Sequence, residues 1–108
     1  MPIYNIENRD VKMLQEGIAG RTFWGKDMLL AIVDLDAHSA MAVHRHPHEQ
    51  VGMVVSGEAV FILDGEEHLL KAGDVYVVPG NVPHGVRVGD TPARLLDVFH
   101  PVREDLKY

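Results

Sequence analysis

Two imidazoles stand at alternate positions in the segment His44-Arg45-His46-Pro47-His48-Glu49-Gln50, and a side-chain amide, Gln50, follows four residues after His46. In extended backbone, side chains two apart share a face, so His44 and His46 point the same way and can close on one ion. A divalent metal is the expected resident of that face. Cysteine is absent, which removes disulfides, a thiolate zinc site and a cysteine nucleophile, and leaves nitrogen and oxygen as the ligand atoms.

A second constellation lies near the C-terminus, in Leu95-Leu96-Asp97-Val98-Phe99-His100-Pro101-Val102-Arg103-Glu104-Asp105. Asp97 and Phe99 are two apart and share one face of a strand, with Arg103 beyond a proline bend. If that face looks into a narrow barrel, the carboxylate can act as a general acid or base and the guanidinium can grip a carboxylate with both prongs. Taken singly, each residue also has a plainer role: Phe99 in a core, Asp97 paired with an arginine such as Arg94, and Arg103 with Glu104 and Asp105 in a solvated tail. A net charge of -6 makes an arginine in a pocket more telling.

The elements that must position these groups are strands. Helical signals are poor throughout, whereas β-branched runs are punctuated every eight to twelve residues or so by Gly, Pro, Asp and Asn, the rhythm of an antiparallel sandwich or barrel. The pattern predicts strands over residues 22–24, 28–35, 40–46, 50–55, 59–63, 67–70, 74–78, 85–88 and 93–99. Asp64-Gly65 is a two-residue hairpin signal, because such turns need positive φ. Pro79 and Pro83 cannot donate to a ladder, so residues 79–83 should form a loop leading into His84. Residues 1–20 are less patterned and form an N-terminal arm or edge strand, in which Met13, Leu14 and Ile18 pack on the barrel or against a neighbouring subunit. Residues 21–108 form the barrel with a short C-terminal tail.

The length of 108 residues fits one domain, and 46% hydrophobic content is enough for a core. Sixteen acidic against ten basic residues disfavour a nucleic acid or an anionic membrane as principal partner. The start of the chain has neither a basic stretch nor an apolar core, and the run from Met28 to Val33 is too short to span a bilayer, so a cytoplasmic protein is expected.

With these residues in view, the chain resembles the cupin superfamily. The first motif of that family is Gly, five residues, His-x-His, three or four residues, Glu, six residues, Gly, and His44, His46, Gln50 and Gly57 fall on its spacing. The distance to Gly57 assigns the ligand position to Gln50 rather than to Glu49, which is expected to face solvent or support the ligands from behind. Gly73, Pro79 and His84 fall on the spacing of the second motif; its glycine after proline has moved to Gly80, with Asn81 in the usual place, and Val88 replaces its terminal Asn. Two motifs in register over roughly residues 21 to 103 are more specific than either alone. The resemblance implies an all-β, single-domain double-stranded β-helix (a jelly-roll barrel) with a metal held by His44, His46, Gln50 and His84. His38, His68 and His100 have no such spacing and are read as structural, and His48, next to a proline, as solvent-exposed. Most metal cupins carry a carboxylate where Gln50 stands, and the neutral amide leaves the site about one unit more positive. A nitrogen-rich set of this kind suits zinc, nickel, iron, cobalt or manganese, and fits less well the two-histidine, one-carboxylate iron sites that activate dioxygen.

A narrower resemblance follows from His-x-His-Pro-His-Glu-Gln together with Leu-Asp-Val-Phe and Pro-x-Arg-Glu-Asp. These runs are similar to the small pectin-degradation cupins that linearise unsaturated uronates. That resemblance implies a metal-dependent isomerase-type or lyase-type enzyme acting on a 4,5-unsaturated monouronate, with Asp97, Phe99 and Arg103 lining the active site, a small anionic sugar acid as partner, and a homodimer. The alternatives are a cupin that binds a small anion or sugar without turnover and, ranked below it, a metal-dependent dioxygenase.

Overall fold

Short β-branched runs between turn formers fold as ten strands and two 3-10 turns in the structure, a computed structural model describing residues 1–108. The strands are β1 (Lys12–Gln15), β2 (Ile18–Trp24), β3 (Leu29–Leu35), β4 (Ala40–His44), β5 (Glu49–Ser56), β6 (Glu58–Leu63), β7 (Glu66–Lys71), β8 (Val75–Val78), β9 (His84–Arg87) and β10 (Ala93–His100). A six-stranded sheet runs β1-β2-β3-β10-β5-β8, and a four-stranded sheet runs β4-β9-β6-β7, every pairing antiparallel. The two sheets form the expected all-β jelly-roll barrel.

Period-two patterning decides which residues turn inward. Leu29, Ala31, Val33 and Leu35 of β3 are buried, as are Leu95, Asp97 and Phe99 of β10, and these meet Phe61 and Val86 of the opposite sheet in one core. Burying the large apolar side chains among these stabilises the fold by about 1.5–3 kcal/mol each. Asp64 (φ 48°) and Gly65 (φ 85°) both take the left-handed conformation that the predicted two-residue turn between β6 and β7 requires.

Three boundaries differ from the sequence pattern. β1 lies in the segment that had looked unpatterned because its alternation is inverted: Lys12 and Leu14 are the partly buried positions, while Met13 is exposed. A lysine on the inward side hides the apolar signal. β2 begins at Ile18, which is fully buried, and pairs along its length with β3, so residues 12–20 continue the same sheet. β4 stops at His44 rather than His46, because Pro47 cannot extend the ladder; the His46 carbonyl instead accepts from the Asn81 N–H at 2.7 Å. No helix is long and apolar enough to cross a membrane.

Candidate metal centre

His44 ends β4 and His84 opens β9, and the two are direct cross-strand partners, so the sheet register alone brings their rings to a centroid separation of 4.4 Å. His46 sits two residues past the end of β4, its ring 5.7 Å from that of His44 and 4.8 Å from that of His84. The three rings offer ligand atoms that all lie within 4.8 Å of one another. A single ion with nitrogen ligands about 2.0–2.1 Å away holds them at most about 4.2 Å apart, so the cluster closes on one ion with a small shift of the rings.

The hydrogen bonds on the far side of each ring decide which nitrogen faces inward. His44 Nδ1 meets the Ala42 carbonyl at 2.9 Å, His46 Nδ1 the His48 carbonyl at 3.0 Å, and His84 Nδ1 the Val82 carbonyl at 2.9 Å. A carbonyl only accepts, so each Nδ1 carries the proton and each Nε2 presents a lone pair. His84 Nε2 is buried without any partner, a lone pair that a bound cation would satisfy. Burial, with help from neighbouring Arg103 and His84, holds the His46 pKa below the ordinary imidazole value, and burial, aided by His44 and Arg103 against the Val82 hydrogen bond, does the same for His84. At His46 and His84 a metal cation fits these lone pairs better than a proton.

Gln50, on the inward face of β5, adds a second test of the same point. Its Nε2 donates to Asp97 Oδ1 at 3.1 Å, which turns its Oε1 toward His46 Nε2, also at 3.1 Å. Two acceptors face each other, an arrangement that a shared cation resolves. The residues present thus fit a divalent ion held by His44, His46 and His84 with the Gln50 oxygen beside them.

Asp97 and Phe99 of β10 sit opposite Gly52 and Gln50 of β5, so the register sets the acid one inward position along from the amide. Asp97 is buried, and desolvation pushes its pKa up to about 6 against the opposing hydrogen bonds from Tyr76 and Gln50 and the charge of Arg103. Tyr76, which the sequence reading missed, donates its hydroxyl to Asp97 Oδ1 at 2.6 Å. It reaches across Gly52: a Cβ there would lie 2.2 Å from that oxygen and 2.6 Å from two Tyr76 ring carbons. Both bonds fall on Oδ1, leaving Oδ2 free of hydrogen bonds within the fold. Asp97 does not pair with Arg94, which instead holds Asp34 and Glu7. Signals for Tyr76 existed, an inward polar aromatic in β8 and a glycine across the ladder, but they become visible only once Gly52 and Tyr76 are known to be partners.

Arg103 does not trail into solvent. Its guanidinium lies 5.0 Å from the centre of the Phe99 ring and engages Asp105 through Nε (3.3 Å) and Nη2 (2.7 Å). The tail is tied down by the N-terminal hairpin: the Thr22 hydroxyl donates to the Leu106 carbonyl at 2.7 Å, and Lys12 Nζ to the carbonyls of Asp105 (3.0 Å) and Lys107 (3.3 Å). Lys12 is a second cation at this mouth that the sequence reading did not single out. His48 also departs from expectation: rather than standing in solvent, it is half-buried, its ring 5.6 Å from that of His46 and its Nδ1 buried without a partner. Glu49, His68 and His100 are exposed, and His38 has an exposed side chain paired with Asp90.

A cavity of about 300 Å³ adjoins the histidine cluster. His44, His84, Gln50, Asp97 and Arg103 supply its polar wall, and Phe61, Val78, Leu95 and Phe99 are among its apolar lining. The volume is at the small end of ligand pockets and suits a single sugar ring.

Comparison with known proteins agrees with this construction. Residues 31–99 match the family described as Cupin domain. The chain is 31% identical over 83 residues to the pectin degradation protein KdgF of Dickeya dadantii, covering 76% of each protein. It superposes on the structure of KdgF from a Halomonas species with a TM-score of 0.92 at 27% identity, covering 99% of each chain. An RmlC-like cupin from Shewanella frigidimarina gives a TM-score of 0.88 at 30% identity, over 94% of this chain and 91% of that one.

Proposed function

The chain belongs to the cupin family, and on that premise we propose that it is a metal-dependent enzyme converting a 4,5-unsaturated monouronate, of the kind pectin or alginate breakdown releases, to its linear keto form. The observation that carries this reading is the cluster of three imidazoles with inward Nε2 lone pairs, two of which, His44 and His84, line a cavity of about 300 Å³ together with a buried carboxyl bearing one free oxygen and an arginine. The likeness to the two KdgF proteins supports the substrate class. His44, His46, His84 and Gln50 hold the ion, which when bound supplies Lewis-acid polarisation of a substrate oxygen.

The chain's own groups do the rest. Arg103 binds the substrate carboxylate, an anion that the net negative surface would otherwise repel. Phe99 holds the guanidinium from one side and walls the sugar on the other. Asp97 delivers a proton through Oδ2 to the enol ether carbon; a proton leaves the anomeric hydroxyl, the bond between the anomeric carbon and the ring oxygen breaks, and the atoms balance as an isomerisation. A carboxyl whose pKa is pushed up to about 6 is suited to this, since a useful fraction is protonated near neutral pH while it remains able to give the proton up. Tyr76 and Gln50 keep the other oxygen fixed.

The test is consumption of an unsaturated monouronate, followed by loss of its conjugated ultraviolet absorbance, by metal-loaded wild type and Asp97→Asn. The expected result is a fall in kcat of about 10²–10⁴-fold in the variant, with substrate binding retained. Undiminished consumption by Asp97→Asn overturns the proton-transfer role. Binding without turnover in the wild type replaces the enzyme with a binder of small sugar acids.

A further inference from the structure

Besides its histidines, the cavity is lined by two acids and two bases, Asp97, Asp105, Lys12 and Arg103. Asp97 is held by Tyr76 and Gln50, and Arg103 by Asp105, whose carboxylate covers its Nε and Nη2 at 3.3 and 2.7 Å. The Arg103–Asp105 pair is neutral as a unit, so it offers directional donors without surplus charge. Lys12 is left as the cation without a counter-charge. Of the four lysines, Lys26 and Lys71 are exposed and Lys107 pairs with Glu104 at 3.0 Å; Lys12 alone is half-buried with no carboxylate paired to it.

The place of Lys12 follows from its strand. Lys12 and Leu14 are the partly buried positions of β1, and both line the cavity. Lys12 Nζ donates to the carbonyls of Asp105 at 3.0 Å and Lys107 at 3.3 Å, on the same stretch of tail that carries Arg103. An ammonium has three N–H donors, so one remains after those two bonds. Neutral carbonyls orient the ammonium without cancelling its charge, and a partly desolvated cation gains most from an anion beside it. Arg103 likewise keeps donors: Asp105 takes one edge of the fork, and Nη1 finds no acceptor within the fold.

We infer that Lys12 is a specificity-determining residue of this site: its remaining N–H and the open edge of Arg103 together bind the ligand's carboxylate, so that a side chain of β1 reads the charge of what enters the barrel. This rests on the proposed sugar-acid ligand and adds to it a second cation, from the opposite end of the chain. Arg103, neutralised by Asp105, separates a carboxylate from a pair of hydroxyls only weakly, and the net charge of Lys12 supplies the difference in affinity that selectivity requires. Holding the tail does not by itself call for a lysine. Thr22, which carries no charge, holds the Leu106 carbonyl, between the two that Lys12 holds, at 2.7 Å.

Calorimetric titration of metal-loaded protein with D-galacturonate, a saturated uronate that cannot undergo the proposed reaction, tests this, with D-galactose as the neutral counterpart. Lys12→Met is expected to weaken galacturonate binding about tenfold or more, as loss of a hydrogen bond between charged groups does, and to leave galactose unaffected. Lys12→Gln, which keeps a donor for the tail without the charge, should behave as Lys12→Met does, whereas Lys12→Arg, which keeps both, stays within about threefold of wild type. Thr22→Val cuts the neighbouring tie to the tail without altering charge and also stays within about threefold. With the unsaturated uronate, the KM of Lys12→Met rises by the same factor while kcat holds. Wild-type affinity for galacturonate in Lys12→Met and Lys12→Gln overturns the inference. So does a loss in Thr22→Val equal to that in Lys12→Met, since Lys12 would then act only by tethering the tail. Lys12-dependent binding in a wild type that leaves the unsaturated uronate unconsumed keeps the cation and removes the reaction; turnover with a KM indifferent to Lys12 does the reverse.

Discussion

Gly52→Ala perturbs the support of the proposed acid without replacing any residue that contacts metal or substrate. Gly52 does not have a positive φ, so alanine meets no backbone strain and the entire effect is steric. The added carbon would sit 2.2 Å from Asp97 Oδ1 and 2.6 Å from two carbons of the Tyr76 ring, whereas real Cβ contacts below 3.0 Å are essentially never seen. Asp97 and Tyr76 are both buried, and the Tyr76–Asp97 bond of 2.6 Å runs through the space the methyl needs. Overpacking costs about 1–3 kcal/mol, and loss of a buried bond to a charged group about 1.5–3 kcal/mol. Together they predict about 3–5 kcal/mol, which for a chain of this size lowers Tm by roughly 15–30 °C.

Thermal melts of Gly52→Ala beside Gly25→Ala are the assay, since a Cβ at Gly25 meets nothing within 4 Å. A double-mutant cycle with Tyr76→Phe sharpens it. Both changes break the same bond, so the double variant should be more stable than the sum of the single losses implies by about 1.5 kcal/mol or more. A Gly52→Ala melt indistinguishable from that of Gly25→Ala, or strict additivity with Tyr76→Phe, would refute the claim that Gly52 exists to let tyrosine reach the acid.

Three further outcomes follow from the centre itself. His84→Ala should lose most of the metal found by elemental analysis after purification, whereas His68→Ala, on an exposed stretch of β7, should retain it; equal losses would undo the ligand assignment. Burial lowers the pKa of His46 and His84, so protons compete with the metal only at a pH below the ordinary imidazole value of 6.5; a titration in which half the metal departs above that value contradicts the geometry. Gln50→Glu should bind metal more tightly yet set two carboxylates about 3 Å apart in the metal-free protein, where like charges raise the folded pKa of the pair. A raised carboxyl pKa contributes stability at low pH that is lost as pH rises through it, so melts of metal-free Gln50→Glu should worsen from pH 6 to 8 more steeply than those of the wild type; parallel curves would show that the amide is not needed beside Asp97.

What could be read from the chain without coordinates was whatever depends on short-range spacing. Alternating valines and leucines gave the sheets, Asp64-Gly65 the hairpin, and His44, His46 and His84 a shared site because their motifs put His44 and His84 at strand ends that are register partners, with His46 two residues beyond. What stayed hidden depends on which strands neighbour one another. Tyr76 looks like one more aromatic until β8 is known to lie beside β5 and β5 beside β10, which lines up Tyr76, Gly52 and Asp97 across three strands. β1 was hidden for a different reason, because Lys12 takes an inward position to reach the tail carbonyls, and a strand that spends a core position on a cation loses its apolar signature.

Gln50 joins these two layers of meaning. A carboxylate at this position could serve a metal, but it could not donate to Asp97, and burying two ionised carboxylates in contact is costly unless one takes up a proton. An amide presents opposite polarity at its two ends: the NH₂ holds Asp97 Oδ1 and the oxygen is left to face His46 Nε2. One neutral side chain therefore lets a buried acid and a cation-seeking cluster of imidazoles share a small cavity, with the acid's other oxygen still available. The departure from the usual carboxylate follows from the presence of Asp97 at the neighbouring inward position of β10, and the two residues are best understood as a single choice.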